Sequence, residues 1–233
     1  MYDAYTVEGF KIISEAVQYN QSIKYIVVRH SMADDLRVKG LLSSAEKKGI
    51  SVFTVAEREF SKLSSMETPP GLLAVVNKNR ESIEENKPCL ILDSIKDPGN
   101  LGMIIRTSDW FGINNIILGK GTVEVHNPKT LQSSMGSMFH VNTMQNQDLI
   151  STIKKLKNAG YNIVATSLDG NEKIPPVTDG KYAIIMGSES FGISRDVLQL
   201  ADYKYRIPGF GRAESLNVSV AAGIVLYEIT RKK

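Results

Sequence analysis

Three glycine-punctuated stretches of this sequence carry polar side chains whose types and spacing could do chemistry. They cover residues 93–106 (DSIKDPGNLGMIIR), 184–193 (IIMGSESFGI) and 205–219 (YRIPGFGRAESLNVS). Their amides, carboxylates, guanidinium groups and hydroxyls can bind and orient a polar ligand through hydrogen bonds and charge. A metal centre is not predicted, because the chain has a single cysteine and three scattered histidines.

The first stretch has the pattern of a strand, a Pro-Gly loop and the start of a helix. Ligands of open α/β sheets bind at the carboxyl ends of strands, so Asn100 and Arg106 are well placed for a site. Two ordinary roles stay open: Asn100 as the cap of a helix that begins near it, and Arg106 as a solvated surface residue. The stretch is neither a Walker phosphate loop nor a Rossmann fingerprint, because neither glycine pattern is present.

The second and third stretches each allow a functional and an ordinary interpretation. Gly187 would let a ligand approach the backbone, and Glu189 places a carboxylate at the exit of a strand. The alternative is a turn followed by an acidic residue at a helix N-terminus. In the third stretch, Ser215 is typical of a helix cap, but a cap does not explain the polar Asn217 in the predicted first turn.

The elements that must position these stretches alternate between strand and helix patterns. The apolar periodicity predicts strands over 23–28, 51–56, 72–76, 90–93, 115–118, 162–166 and 183–186, and helices over 9–19, 36–48, 100–111, 128–135, 148–159 and 216–230. This order predicts two α/β domains, 1–80 and 88–233, joined by a polar linker over 81–87. In the second domain we expect a mainly parallel sheet covered on both faces.

Composition excludes several classes of protein. The chain has 233 residues, of which 42% are hydrophobic and 23% charged, so it is not a disordered chain. No apolar run approaches the ~18 residues of a membrane span, and no signal-peptide core is visible, so we expect a soluble, cytoplasmic protein. The net charge of +3 is mild. Phosphate binding would therefore depend on individually placed residues rather than on bulk charge.

Taken in order, the three stretches resemble the motifs of the SpoU-type (TrmH-like) RNA ribose methyltransferases of the SPOUT superfamily. The matching residues are Asn100 and Arg106 in motif one, Gly187, Glu189 and Gly192 in motif two, and Ile207, Pro208 and 215–219 in motif three. The resemblance covers 88–233. The front domain resembles the family's small ribosomal-protein-like RNA-binding domain through residues 7–9 and 70–76.

The resemblance implies a trefoil-knotted parallel-sheet domain that binds S-adenosyl-L-methionine, largely through backbone groups. The implied cofactor-binding residues are Thr166, Ser167, Leu168, Gly187, Ile207 and Leu216. Without the resemblance, Ile207 and Leu216 would be interpreted as core residues. The family pattern also implies a homodimer formed through the knot region and no metal.

The implied reaction is methyl transfer to a ribose 2′-hydroxyl of structured RNA, rRNA more than tRNA. Arg106 would position a phosphate and stabilise developing charge, and act as a base only if strongly desolvated, since an ordinary arginine keeps its proton at neutral pH. It could act in its own or in the partner subunit's site. Asn100, Glu189, Ser215 and Asn217 would build the polar network around it.

Two other classes of function compete with this interpretation. One is a catalytically silent RNA-binding protein of the same fold, which would not need all five of these polar residues. The other is a generic nucleotide-binding α/β protein, against which the missing phosphate loop counts. Departures from the family pattern stand at Ser188, where Asn is usual, at Gly209, where Met is usual, and at Pro70, where Gln is common.

Overall fold

The computed structural model of the chain describes residues 3–78, 82–175 and 180–231. It contains two compact units, Met1–Arg80 and Glu81–Lys233. Residues 79–81, where the domain boundary and the start of the linker are predicted, lie outside the described residues. The described part of the predicted linker is tied to the second unit, because the Glu84 amide donates to Asn115 Oδ1 (2.9 Å) and Asn115 Nδ2 donates to the Glu84 carbonyl (2.8 Å).

The first unit is a four-stranded mixed sheet with three helices. Its elements are β1 (Ala4–Glu8), α1 (Phe10–Gln18), β2 (Ile23–Arg29), α2 (Leu36–Lys47), β3 (Ser51–Val55), α3 (Glu57–Leu63) and β4 (Leu72–Asn77). The strand order is β1-β4-β2-β3, in which β2 and β3 are parallel and the other pairs antiparallel. Phe60 of α3 is fully buried against Val27 and Leu73 of this sheet.

The second unit is built on a six-stranded sheet in which every neighbouring pair is parallel. Its elements are β5 (Cys89–Asp93), α4 (Pro98–Trp110), β6 (Asn115–Gly119), α5 (Pro128–Ser134), β7 (Asn142–Gln147), α6 (Leu149–Asn158), β8 (Asn162–Asn171), β9 (Tyr182–Gly187), α7 (Arg195–Leu198), β10 (Tyr203–Tyr205) and α8 (Val218–Thr230). The strand order is β10-β8-β9-β5-β6-β7. The predicted α/β class with a parallel sheet is confirmed.

Apolar residues fill both faces of this sheet. One face packs against α6 and α7, where Ile91, Ile153 and Ile185 share one core cluster. Strand residues alternate between faces, so Leu90 and Ile184 bury on the opposite side, where α4 packs against α5 and α8. The central strands β5 and β9 are consequently buried along their length, which explains their unbroken apolar sequences.

Two helix starts differ from the prediction by two residues. Helix α4 begins at Pro98 and is capped by Asp97, whose carboxylate accepts from the Asn100 amide (2.8 Å), so the interpretation of Asn100 as a cap is wrong. Helix α8 begins at Val218, and its cap is Asn217 rather than Ser215. Asn217 Oδ1 accepts from the amides of Ser219 (2.9 Å) and Val220 (3.4 Å), which explains a polar residue at this position.

Candidate active site

The three predicted stretches meet at one edge of the parallel sheet. Asp93 ends β5, Gly187 ends β9, and these two residues are neighbours in the sheet register. Because all strands of this sheet are parallel, the segments that follow them leave from the same edge. The loop after β5 leads into α4, and the loop after β10 leads into α8, which packs against α4. The sheet therefore brings together segments more than 100 residues apart in sequence.

A polar cluster forms where these segments meet, and it joins one predicted residue from each motif. Asn100 Nδ2 donates to Glu189 Oε1, and Asn217 Nδ2 donates to Asn100 Oδ1 (3.0 Å). Asn100 is half-buried, whereas Glu189 and Asn217 are exposed. Both ends of the Asn100 amide are thus used, which fixes its orientation and holds the Glu189 carboxylate beside α4. We name Asn100, Glu189 and Asn217 the motif cluster.

Asn217 has two roles, because its amide group has two ends. Its Oδ1 caps α8 and also accepts from the Ser219 hydroxyl (2.6 Å), while its Nδ2 reaches Asn100. A serine or threonine at this position could cap the helix with its hydroxyl oxygen. It has no separate nitrogen, however, that could donate to Asn100 at the same time. The choice of asparagine is therefore explained by the contact with Asn100.

The loop that carries Glu189 is closed by its own hydrogen bonds. The Gly192 amide donates to the Ser188 carbonyl (2.8 Å), and the Phe191 amide donates to Ser188 Oγ (3.3 Å). Ser188 is buried, so the residue that departs from the family pattern has a structural role here. A Cβ on Gly187 would lie 2.0 Å from the Gly192 carbonyl carbon. The chain itself therefore requires glycine at 187, and the expected room for a ligand on that side is filled by backbone.

Asp93 is a contributor that sequence reasoning did not single out. Its side chain is 7% exposed, its Oδ2 accepts from the Ser194 amide (2.8 Å), and its Oδ1 accepts from the Ser94 hydroxyl (3.2 Å). A buried carboxylate must be hydrogen-bonded to be tolerated, and these bonds tie the far end of the Glu189 loop to the central strand. The signal in the sequence is the carboxylate that follows the apolar run Cys-Leu-Ile-Leu.

The structure does not bring Arg106 or Ser215 into the motif cluster. Arg106 is exposed on α4, and its guanidinium has no hydrogen bond or ion pair with any residue that the structure describes. Asp109, one turn further on, is 2.9 Å from His140 Nδ1 and so has a partner of its own. Ser215 is also exposed and without a hydrogen bond to the rest of the described chain. Their assignment to the site stays a prediction.

The six predicted cofactor residues lie on β8, at the end of β9 and near the two ends of the loop between β10 and α8. Thr166 Oγ1 donates to the Ile185 carbonyl (3.2 Å), and Ser167 Oγ accepts from the Asp169 amide (3.3 Å). Leu168 and Leu216 are 68% and 46% exposed. The core interpretation of Leu216 is therefore wrong, since half of its surface is open, whereas Ile207 is half-buried.

The Asp97 carboxylate places a negative charge at the N-terminus of α4. The hydrogen bond from the Asn100 amide, more than the nearby Lys129 ammonium, holds the pKa of Asp97 below its ordinary value. The carboxylate thus stays ionised at neutral pH and complements the N-terminus of α4. Within residues 3–78, 82–175 and 180–231, no group of three or more metal-binding side chains occurs, and no helix is long and apolar enough to cross a membrane.

Comparison with known families gives two matches that together span most of the chain. Residues 87–227 match the SpoU rRNA methylase family, and residues 6–82 match the RNA 2′-O ribose methyltransferase substrate-binding domain. Among curated proteins, the chain is similar to the 23S rRNA (guanosine(2553)-2′-O)-methyltransferase RlmP of Bacillus subtilis. The two are 32% identical over 97% of this chain and 88% of the relative.

Solved structures agree with these matches. An rRNA methyltransferase from Sinorhizobium meliloti, with AdoMet bound, has a TM-score of 0.83 and 29% identity over 99% of this chain and 88% of its own. The SpoU methyltransferase AviRb from Streptomyces viridochromogenes, in complex with AdoMet, has a TM-score of 0.83 and 25% identity over 99% of this chain and 90% of its own.

Proposed function

We propose a function on one premise: this chain belongs to the SpoU rRNA methylase family. It transfers a methyl group from S-adenosyl-L-methionine to a ribose 2′-hydroxyl of structured RNA, and rRNA is favoured over tRNA because RlmP acts on 23S rRNA. The observation that carries the proposal is the motif cluster, in which one polar residue from each motif is hydrogen-bonded to the next. The reaction takes place in the cytoplasm, where ribosomal RNA lies.

The residues at the sheet edge fit the cofactor. The exposed side chains of Leu168 and Leu216 offer apolar surface to an adenine ring. Backbone donors and acceptors would come from Gly187, the last residue of β9, and from Ile207, two residues after β10. Thr166 and Ser167 hold the β8 segment through their own hydrogen bonds. When bound, S-adenosyl-L-methionine supplies an electrophilic methyl group on a sulfonium.

The chain's own residues then have to orient the ribose and assist loss of the hydroxyl proton. When the enzyme holds the ribose hydroxyl in line with the methyl group, a bimolecular step becomes effectively unimolecular. This orientation accounts for a large part of the gain in rate. Arg106, which has no partner among the described residues, binds the phosphate next to the target ribose and stabilises the negative charge that develops on the 2′-oxygen. The motif cluster provides a fixed polar surface, with Ser215 beside it, against which the nucleotide is positioned.

We further propose that two copies associate through the outer faces of α4 and α8, in the region that the family pattern predicts to be knotted. Met103, Trp110, Val220 and Tyr227 on these helices are 45%, 84%, 52% and 50% exposed, an apolar area that suits a two-fold interface. Arg106 stands three residues after Met103 and four before Trp110, so it shares their side of α4. If a second copy packs on this face, Arg106 of one copy lies next to the motif cluster of the other copy.

Mapping of ribose methylation in total RNA tests the function. Mass spectrometry of RNA from cells with and without the gene should show the loss of one 2′-O-methylated nucleotide, and the purified protein should restore it in vitro with S-adenosyl-L-methionine and chelator present. Identical methylation maps, together with RNA binding but no methyl transfer by the purified protein, would instead support the silent RNA-binding protein.

Light scattering and subunit mixing test the dimer and the shared site. The wild-type protein should have about twice the mass of the 25.7 kDa chain, and Trp110→Glu should shift it towards the monomer. Arg106→Ala and Asn217→Ala proteins should each be inactive, but their mixture should regain activity if Arg106 serves the partner's site, because one site of a mixed dimer is then intact. A mixture that stays inactive while subunits exchange places Arg106 in its own subunit's site.

A further inference from the structure

The loop between β10 and α8 carries an aromatic ring that none of the described residues covers. Phe210 is 99% exposed, and residues 208–217 around it are exposed as well. Its neighbours Gly209 and Gly211 each have open space where a Cβ would be. A phenyl ring in water forfeits the stabilisation that burial would give, so Phe210 adds nothing to the core and its ring faces are open to a ligand.

Both ends of this loop are fixed, and its middle is free. At the start, the Arg206 amide donates to the Asn171 carbonyl (2.9 Å), and the Arg206 guanidinium pairs with Glu172. At the end, Asn217 caps α8 and donates to Asn100 of the motif cluster. Phe210 is therefore held on a short tether that ends in the candidate active site, seven residues before Asn217.

We propose that Phe210 stacks on an unpaired base of the RNA next to the nucleotide that is methylated. The inference rests on the proposed function and names a recognition subsite within it. Proteins that read single-stranded or looped RNA stack bases on aromatic side chains, and every base offers a π-face to such a ring. Arg212, two residues further on, is exposed and has no partner among the described residues, so it can contact the adjacent phosphate.

An RNA base fits this loop better than a second copy of the chain does. The core of an interface between copies contains several large apolar side chains close together, as on the outer faces of α4 and α8. Phe210 instead stands alone between glycines, and the charged residues that follow it are Arg212 and Glu214. Phe191 is 92% exposed in the same unit, but no arginine or lysine stands within two residues of it, whereas Arg212 stands two residues after Phe210, so we assign the subsite to Phe210.

Four variants of the full chain separate stacking from other roles. Dissociation constants for the RNA substrate, measured by fluorescence anisotropy at one fixed salt concentration, should rise about 5- to 150-fold for Phe210→Ala, the range found when a stacking aromatic is removed. Phe210→Trp should bind as well as wild type, and Phe210→Leu should stay weak, because leucine is apolar but has no π-face. Phe191→Ala, the matched control, should stay within twofold of wild type.

Other outcomes would overturn the inference. Phe210→Leu that binds RNA as tightly as Phe210→Trp would make the ring a simple apolar contact. A loss of dimer mass in Phe210→Ala would place the ring in an interface between copies, and an equal loss of affinity for S-adenosyl-L-homocysteine would place it against the cofactor. If wild type methylates RNA and Phe210→Ala binds that RNA equally well, only this inference fails. If wild type neither binds nor methylates RNA, the proposed function fails.

Discussion

Arg29 in the first unit and Arg106 in the second illustrate two uses of the same side chain. Arg29 ends β2, donates from Nη1 to Glu57 Oε1 (2.7 Å) and is only 22% exposed, and its amide bonds the Gly71 carbonyl (2.8 Å). Arg106 is exposed on α4 without any such partner in the described chain. A guanidinium that is already paired stabilises a fold, whereas an unpaired one at a site is available to a ligand.

Glycines show a similar contrast. Gly71 has φ +78°, and a Cβ there would lie 2.7 Å from the Met32 side chain and 3.1 Å from Arg29 Nε, so both the backbone conformation and the packing select glycine. Gly187 has no such conformation, and its constraint is the backbone of Gly192 and Ile193 across a tight loop. In the first unit the special residues hold a turn, and in the second they shape the loop that presents Glu189.

The largest expected effect is on the methylation rate, and it tests the contrast between Arg106 and Arg29. Arg106→Ala should lower the single-turnover methylation rate by on the order of 10²-fold or more, the scale lost with a positioned electrostatic group. Arg106→Lys should restore little, because an ammonium cannot replace a planar fork. Calorimetric affinity for S-adenosyl-L-homocysteine and the melting temperature should not change, since Arg106 has no partner among the described residues to lose. If Arg106→Ala methylates RNA at the wild-type rate, Arg106 is a solvated surface residue without a role in the reaction.

The next effect concerns Gly187. Gly187→Ala should lower the free energy of unfolding by about 2 kcal/mol, because the added methyl group meets backbone that cannot move aside cheaply. Gly209→Ala, in the open loop after β10, is the matched control and should leave stability within ~0.5 kcal/mol of wild type. Urea unfolding measures both. Equal stability of the two variants would contradict the tight closure of the 187–192 loop.

A smaller effect is expected at the cap of α4. Asp97→Ala should destabilise the chain by about 1 kcal/mol, the ordinary cost of losing a helix cap. Because the folded state lowers the pKa of Asp97 below its ordinary 3.8, the stabilisation is complete above that pH and is lost as the pH falls through the folded value. The difference in unfolding free energy between wild type and Asp97→Ala should therefore shrink below about pH 4, as thermal melts at several pH values would show. A constant difference down to pH 2 would exclude the charge as its origin.

The smallest effect tests the other arginine. Arg29→Ala should lower the free energy of unfolding by about 0.5–1 kcal/mol, since Glu57 is largely exposed and such an ion pair is weak. Once RNA and cofactor are saturating, the rate per folded molecule should equal that of wild type. A hundredfold drop in that rate would show that Arg29, like Arg106, is needed for methylation, which would contradict its assignment as a structural residue.

The sequence predicts the fold class because the buried strands are continuous apolar runs between glycine-rich turns. It does not predict β7, whose sequence NTMQNQ has no apolar face and which pairs with β6 through its backbone. It also misses α3, which is anchored by a single buried side chain, Phe60. Short edge elements of this kind depend on what they pack against, which local periodicity does not contain.

In the candidate site too, the sequence predicts the residues of local motifs but not the contacts that depend on the tertiary fold. Asn100, Glu189 and Asn217 are recognisable from three local patterns, but their hydrogen bonds depend on the strand order, which no single pattern reveals. The role of Asp93 depends on the return of residue 194 to the end of β5. The assignments of Arg106 and Ser215 stay predictions, because the described residues of one chain do not place a partner against either.

The strand order also determines when the site can exist during protein synthesis. β5 is the first strand made in the second unit, yet its neighbour β9 follows only after β6, β7 and β8, and the bond between Asn100 and Asn217 spans 117 residues. Contacts of such long range close late in folding. A nascent chain still held by the ribosome before residue 217 has emerged therefore lacks the motif cluster. Methylation capacity should consequently arise after synthesis of α8 rather than while the chain is being translated.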